Sequence, residues 1–126
     1  MPALLEHANV TVTDADKTAR WMSDLFGWHI RWQGPSQMGG QSLHIGTDTQ
    51  YIALYEPSAP IARKSETYVT AGGLNHLAVT VDDIETIERK VRDAGFTPTN
   101  HGDYEPGRRF YFHDHDSIEF EIVQYD

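Results

Sequence analysis

Imidazole and carboxylate side chains stand at positions where two parts of the sequence repeat each other. His7 and His76 occupy the same step of two similar segments, and Glu119 and Glu121 lie close together near the end of the chain. Two histidines and one glutamate that meet at a point can hold a divalent metal ion and leave its other positions open to a substrate. The alternative is that each histidine is a hydrogen-bonded structural residue, which is the commoner role of a histidine in a strand.

The segments that carry the two histidines are copies of one pattern. The first reads LEHANVTV and spans residues 5–12, and the second reads LNHLAVTV and spans residues 74–81. Each is followed by aspartates that can cap a helix, by apolar residues at helical spacing, and by a glycine that can end a helix. Those glycines are Gly27 and Gly95. In the second copy, Glu85 is placed to complete a capping box on Asp82. An internal repeat of this kind predicts two similar modules.

After each helix the apolar residues alternate, which is typical of short strands. The predicted strands are 29–33, 42–46 and 51–55 in the first half, and 96–99, 109–113 and 118–125 in the second. The fold class is therefore α+β, with two tandem βαβββ modules in a single domain. The predicted ranges are 1–57 for module one, 58–73 for a connector rich in Pro, Ser, Ala and Gly, 74–126 for module two, and 1–126 for the domain. Halves of about 60 residues are marginal alone, so we expect them to share a core.

Strand parity sorts the side chains between two faces, because neighbours in a strand point to opposite sides. The apolar residues that follow each first-strand histidine pack toward the helices, which leaves His7 and His76 on the other face. In the last strand the apolar positions alternate with Glu119 and Glu121, which leaves both acids on the face of the histidines. Such groups are costly to bury in a core without partners, but they suit a polar cavity.

Composition limits the classes of function. Of 126 residues, 39% are hydrophobic, and 19 acidic against 10 basic side chains give a net charge of −9. An acidic chain without clustered Lys and Arg does not fit recognition of a nucleic-acid backbone. No apolar run approaches the roughly 20 residues of a membrane-spanning helix, and the N-terminus lacks the pattern of a signal peptide. With no cysteine there is no disulfide or thiolate site, and we expect a cytoplasmic protein without nucleic-acid or membrane partners.

The paired βαβββ pattern resembles the vicinal oxygen chelate superfamily, also called the glyoxalase/bleomycin-resistance/dioxygenase superfamily. The resemblance covers nearly the whole chain, and its most specific parts are LEHANVTV with RWMSDLFGW, NHLAVTV, and RFYFHDHDSIEFEIV. It implies that the strands form a curved mixed sheet cup, with the helices packed on the outer face. It also implies one divalent metal ion per site, held by His7, His76 and Glu119. This donor set does not distinguish Fe, Mn, Zn, Ni and Co.

The resemblance further implies a small metal-dependent enzyme, in which the ion acts as a Lewis acid on a small oxygen-chelating substrate. The reaction stays open between a glyoxalase-like lyase or isomerase and an extradiol-type dioxygenase. Glu121, which shares a face with Glu119, and Tyr111, which matches the active-site tyrosine of the dioxygenases, are expected to move protons. Short members commonly form homodimers whose sites take ligands from both subunits, and we expect the same here. The alternative is a metal-free, bleomycin-resistance-like protein that binds a drug or another small ligand in the cup.

One departure from the superfamily pattern concerns a fourth ligand. Members resembling glyoxalase I carry a carboxylate on the last strand of the first half, where this chain has Ala53. Glu56 is three residues further on, so a regular strand points it to the opposite face. Gln50 stands where the dioxygenases carry a histidine beside the ligands. The missing carboxylate argues against glyoxalase I activity.

Lesser roles are predicted for the remaining histidines and for the adjacent basic residues Arg108 and Arg109. His113 and His115 lie at a turn and are expected to face solvent. His44 has no predicted partner. Arg108 and Arg109 either clamp an anionic substrate or balance local charge.

Overall fold

Two four-stranded sheets form the framework of the chain, and each has one helix packed against it. A computed structural model describes residues 1–37, 39–59, 61–62 and 66–126. The chain divides into two compact units, 1–62 and 63–126, and the division falls inside the predicted connector. Neither of the two α-helices in the described residues is long and apolar enough to cross a membrane.

The first unit contains one helix and four strands. These are β1 (His7–Thr11), α1 (Ala15–Phe26), β2 (His29–Pro35), β3 (Gln41–Gly46) and β4 (Tyr51–Glu56). The strand order in the sheet is β1-β4-β3-β2. The pair β1 and β4 is parallel, and the other neighbours are antiparallel.

The second unit repeats this arrangement after a 3-10 helix at Thr67–Val69. Its elements are β5 (Leu77–Thr80), α2 (Ile84–Asp93), β6 (Thr99–Tyr104), β7 (Gly107–His113) and β8 (Glu119–Tyr125). The order is β5-β8-β7-β6, with β5 and β8 parallel and the rest antiparallel. The prediction of two βαβββ modules from the sequence repeat is confirmed.

Helix α1 begins and ends at the predicted signals. The side chain of Asp14 accepts a hydrogen bond from the Lys17 amide, and Gly27 ends the helix in the left-handed conformation at φ 70°. The left-handed region is open to glycine without steric cost, which explains this residue at the end of the helix. The apolar face of the helix packs on β3 and β4. Its buried members are Ala15, Ala19, Trp21, Met22 and Leu25.

Helix α2 begins one residue later than the predicted capping box requires. The cap is Asp83 and not Asp82, and its carboxylate accepts hydrogen bonds from the amide and the hydroxyl of Thr86. These hydrogen bonds lower the pKa of Asp83. With the cap at Asp83, Glu85 is the second helical residue and not the third, so it cannot close a capping box. Its carboxylate binds Arg108 of β7. The shift places Ile84 as the first helical residue, and this side chain is buried.

Strand β6 also differs from the prediction of a strand over 96–99. Phe96 lies before the strand, and its ring stacks on Phe112 of β7 at 5.6 Å. The strand itself is polar and mostly exposed, so its side chains show no apolar alternation. Gly102 and Asp103 are held extended by pairing with Arg109 and Arg108 of β7. The extended conformation of β6 is therefore set by hydrogen bonds to the backbone of β7 and not by a pattern of apolar side chains.

Candidate functional site

Along strand β8, core residues alternate with residues of the candidate site. Phe120 and Ile122 are 1% and 0% exposed, while Glu119 and Glu121 alternate with them. Tyr111 of β7 lies opposite Glu121 in the register. Glu121 is nevertheless only 8% exposed, so it is not a solvated strand carboxylate.

The cost of burying the charge of Glu121 is offset, because each of its carboxylate oxygens has a cationic or imidazole partner. One oxygen lies 3.1 Å from His76 Nε2, and the other accepts a hydrogen bond of 2.9 Å from the guanidinium of Arg109. The Arg109 side chain is 17% exposed, and its guanidinium also lies over the ring of Tyr104 at 5.2 Å. A carboxylate held on both sides in this way fixes the orientation of the histidine ring.

The other nitrogen of His76 faces a tyrosine hydroxyl. Tyr68, in the 3-10 helix, donates to both oxygens of Glu119 at 2.8 and 2.9 Å, and its oxygen lies 3.3 Å from His76 Nδ1. The hydrogen bond to Glu119 raises the pKa of Tyr68 to about 12, so the phenol keeps its proton at neutral pH. His76 and Glu119, two of the predicted ligands, thus converge on one oxygen atom.

Tyr111 borders the same cluster. Its ring meets the His76 ring edge-on, with 5.5 Å between centroids. Burial raises the pKa of Tyr111, and the charge of Glu121 raises it further. The second unit therefore brings together His76, Glu119, Glu121 and Tyr111, four of the five residues that the sequence singled out, and adds Tyr68 and Arg109. We call these six residues the polar network.

His7, the fifth predicted residue, lies on the exposed face of β1 as the strand parity predicts. Its Nδ1 atom is 2.9 Å from a carboxylate oxygen of Glu6. Its ring stacks on Tyr51, which is its register partner on β4, at 4.7 Å and an interplanar angle of 13°.

The stack continues across the first sheet as an aromatic row formed by His7, Tyr51, His44 and Trp32. The centroid separations are 4.6 Å between Tyr51 and His44 and 5.1 Å between His44 and Trp32. The guanidinium of Arg31 lies 4.5 Å above the Tyr51 ring. Partial burial lowers the pKa of His44, and the nearby His7 and Arg31 lower it further.

The position of the missing fourth ligand is part of the same face. Ala53 is 3% exposed and pairs in register with Asn9 of β1 and His44 of β3. Glu56 points away from it, as predicted, because its carboxylate accepts from the amide of Ala15 at 2.8 Å on the helix side. Gln50 lies in the β3–β4 turn, where its carbonyl accepts from the Thr47 amide.

The turn between β7 and β8 holds a second group of possible donor atoms. Carboxylate and imidazole atoms of Asp114, His115 and Asp116 lie within 4.8 Å of one another. The expectation of solvent exposure is correct for His113 but not for His115, whose side chain is 17% exposed. Asp114 Oδ1 accepts from the amides of Asp116 and Ile118, which explains the turn. Burial raises the pKa of Asp114, although these two amides oppose the shift.

A groove of about 260 Å³ lies between α2, β6 and β7. Charged side chains line it, but they bind each other: Arg108 binds Glu85, and His101 lies 3.1 Å from Glu88. The polar network, which contains four of the five residues that the sequence singled out, is the stronger candidate for a functional site.

Comparison with known proteins agrees with the fold and with the sequence repeat. The family model of the Glyoxalase/Bleomycin resistance protein/Dioxygenase superfamily matches residues 4–122. The chain therefore belongs to this superfamily. No curated protein matches the sequence.

Several solved structures share the fold at low sequence identity. A glyoxylase/bleomycin resistance protein/dioxygenase domain from Frankia sp. EAN1pec has a TM-score of 0.81 and 21% identity, covering 100% of this chain and 93% of its own. The fosfomycin resistance protein FosX from Listeria monocytogenes, complexed with Mn(II) and sulfate, has a TM-score of 0.74 and 18% identity, with 100% and 95% covered. TnmS3, an antibiotic binding protein from Streptomyces sp. CB03234, has a TM-score of 0.75 and 16% identity, with 99% and 98% covered. At these identities the similarity shows the fold alone.

Proposed function

We propose that the protein is a small enzyme that uses one divalent metal ion as a Lewis acid on an oxygen-chelating substrate, with His7, His76 and Glu119 as the ligands. The observation that carries this proposal is the convergence of His76 and Glu119 on a single oxygen atom, at 3.3 and 2.8 Å. Two donors that reach the same hydroxyl are placed to reach the same ion. FosX, which shares the fold, was crystallised with Mn(II), and this adds support.

The chemistry of the donors fits such an ion. Imidazole and carboxylate ligands suit Mn, Fe, Co, Ni and Zn, and metal-ligating histidines usually give their second nitrogen to a carboxylate or carbonyl. Glu121 supplies that carboxylate to His76 Nε2, which leaves Nδ1 on the side of Glu119. His7 is exposed and has Glu6 beside its ring.

Besides holding the ion, residues of the polar network would orient a ligand and donate a proton. When bound, the ion would polarise the substrate oxygens and stabilise the negative charge that develops on them. Glu121 has both oxygens engaged, so we assign it the orientation of His76 in place of the predicted role in moving protons. Tyr111 then remains as the phenol that donates a proton or a hydrogen bond to the substrate. Dioxygen uptake with catechols would separate an extradiol dioxygenase from a lyase or isomerase.

Metal analysis tests the proposal. Protein stripped with EDTA and reloaded with Mn²⁺, Fe²⁺, Co²⁺, Ni²⁺ or Zn²⁺ is expected to retain an ion after desalting, as measured by elemental analysis. His76→Ala and Glu119→Gln should abolish retention. Asp116→Asn, which alters the second donor group, should not. Full metal content in both His76→Ala and Glu119→Gln would show that the assignment is wrong, and loss in Asp116→Asn alone would move the ion to the β7–β8 turn.

A metal-free binding function is the second candidate, and the aromatic row favours it. Tyr51 and His44 present stacked rings next to Trp32, which is 47% exposed, and such a surface suits a flat aromatic ligand. The antibiotic binding protein TnmS3 shares the fold. Under this alternative, no metal would be retained, and a planar aromatic drug would quench tryptophan fluorescence equally with and without EDTA. Trp32→Phe should then lose most of the quenching.

A further inference from the structure

The hydroxyl of Tyr68 lies between two of the proposed metal ligands. It is 2.8 and 2.9 Å from the two oxygens of Glu119 and 3.3 Å from His76 Nδ1. Bonds from zinc to nitrogen or oxygen are shorter, about 2.0–2.2 Å. The same two donors therefore cannot close on an ion and also keep this hydroxyl between them.

His76 has two side-chain partners, Glu121 and Tyr68, and their burial decides which of the two contacts breaks when an ion binds. Both ring nitrogens are engaged, one with Glu121 and the other with Tyr68. The Glu121 side chain is 10% exposed, and Arg109 anchors it. Tyr68 is 57% exposed and belongs to a helix of three residues. Releasing Tyr68 exposes little new surface, whereas releasing Glu121 would leave a buried charge without its partner.

We propose that Tyr68 is an internal latch, whose hydroxyl occupies the position between His76 and Glu119 until a metal ion displaces it. This inference rests on the metal site proposed above. Because the ion must compete with a hydrogen bond to an ionised carboxylate, the apparent metal affinity is lowered by the fraction of molecules in which the latch is closed.

A substitution in the backbone next to Tyr68 can move the latch while leaving its phenol unchanged. Gly73 approaches Thr67 so closely that an added Cβ would lie 2.5 Å from the Thr67 carbonyl oxygen. The 3-10 helix is otherwise held by local hydrogen bonds, among them Thr70 Oγ1 to the Glu66 carbonyl at 2.6 Å. In Gly73→Ala, the 3-10 helix that carries Tyr68 and the backbone at position 73 must therefore move apart.

Titration calorimetry with Mn²⁺ on EDTA-stripped protein tests the latch. Tyr68→Phe removes the hydroxyl and is expected to bind Mn²⁺ about three- to tenfold more tightly than the parent, a change of the size that the net contribution of one ordinary hydrogen bond gives. Gly73→Ala should shift the affinity in the same direction. Tyr125→Phe, which alters a tyrosine of similar exposure at the end of β8, is the matched control and should bind as the parent does.

The outcomes separate the latch from the metal site itself. If Tyr68→Phe binds Mn²⁺ as the parent does, while His76→Ala and Glu119→Gln do not bind, the latch is refuted and the site stands. Weaker binding by Tyr68→Phe would make the phenol a ligand and would also refute the latch. If His76→Ala and Glu119→Gln bind as the parent does, the proposed function itself fails. Circular dichroism spectra identical to the parent's would exclude misfolding of Tyr68→Phe, and this conservative variant decides the question if Gly73→Ala does not fold.

Discussion

Arg109 pairs with the carboxylate of Glu121, which is almost fully buried. Glu121 is 8% exposed, and its closest cation is Arg109 at 2.9 Å. We expect Arg109→Met to reduce the free energy of unfolding by about 2–3 kcal/mol, because it leaves a largely buried charge with only an imidazole beside it. Urea unfolding at pH 7 measures this loss.

Arg108 is the matched control for this substitution. It is the neighbouring residue on the same strand, and its partner Glu85 is exposed, so Arg108→Met should cost far less. The double variant Arg109→Met/Glu121→Gln should recover part of the loss, because the unpaired charge is removed. Equal losses for the two arginine variants would contradict the assignment of a buried pair.

Asp114 makes the stability depend on pH. Its pKa in the folded chain is raised above the ordinary value of 3.8, mainly by burial. A raised carboxyl pKa favours the folded state while the group is protonated, and this contribution is lost as the pH rises through the folded pKa. Asp114→Asn keeps an oxygen that accepts from the amides of Asp116 and Ile118, but it does not ionise.

We therefore expect the parent to lose stability relative to Asp114→Asn as the pH rises from about 4 to 7. Chemical denaturation at three or four pH values measures the difference between the two proteins. Asp103→Asn, at an exposed position, should show no comparable trend. A difference that is constant with pH would show that Asp114 is not the group responsible.

At the scale of elements, Glu56 links the end of β4 to the start of α1. Its carboxylate accepts from the amide of Ala15, a residue that is fully buried, and from the side chain of Gln41. Glu56→Ala is expected to cost about 1–2 kcal/mol, because it leaves a buried N–H group at a helix N-terminus without its acceptor.

Glu56→Gln separates the hydrogen bond from the charge. The amide oxygen still accepts from Ala15, so only the interaction of the negative charge with the helix dipole is lost, about 0.5 kcal/mol. Thermal and urea unfolding of both variants should rank them parent, Gln and Ala in decreasing stability. A Gln variant as unstable as the Ala variant would show that the charge, and not the hydrogen bond, stabilises the helix start.

The elements that could be predicted are those whose side chains face a core on one side. The alternation around Phe120 and Ile122 predicts β8, and the aspartate and glycine at the ends of α1 predict that helix. Strand β6 could not be predicted in this way, because Gly102 and Asp103 carry no apolar signal and are extended only through pairing with β7.

The same reasoning explains which site residues were missed. His44 alternates with the buried Leu43 and Ile45, so the parity rule would have placed it on the exposed face. Tyr68 lies in the connector, where no periodicity assigns a direction to any side chain. Its role depends on a contact with Glu119, a residue far away in the sequence, and local pattern carries no information about such a contact.

At the scale of the whole molecule, the prediction of a homodimer whose sites are shared between subunits can be tested directly. Strand β2 lies at the edge of its sheet and exposes Ile30 and Trp32, features that favour association. Light scattering should give about twice the chain mass of 14.3 kDa. A monomeric mass at micromolar concentration would contradict this prediction.

Mixing two inactive variants tests whether the subunits share a site. If each site takes His7 from one chain and His76 from the other, neither His7→Ala nor His76→Ala alone can hold the metal ion. A mixed dimer of the two variants would contain one complete site, so refolding them together should restore part of the metal content. No recovery in a verified mixed dimer would place all three ligands in one chain.

The alternation of two glutamates with two apolar core residues along β8 has a consequence for how relatives of this protein can diverge. Glu119 and Glu121 can each be replaced without touching the packing of Phe120 and Ile122, because the two sets lie on opposite faces. Inserting or deleting one residue within the strand would instead exchange the faces and place acids in the interior. New chemistry can therefore evolve here by substitution, at Glu121 together with its partner Arg109, whereas the length of this strand is fixed by the fold.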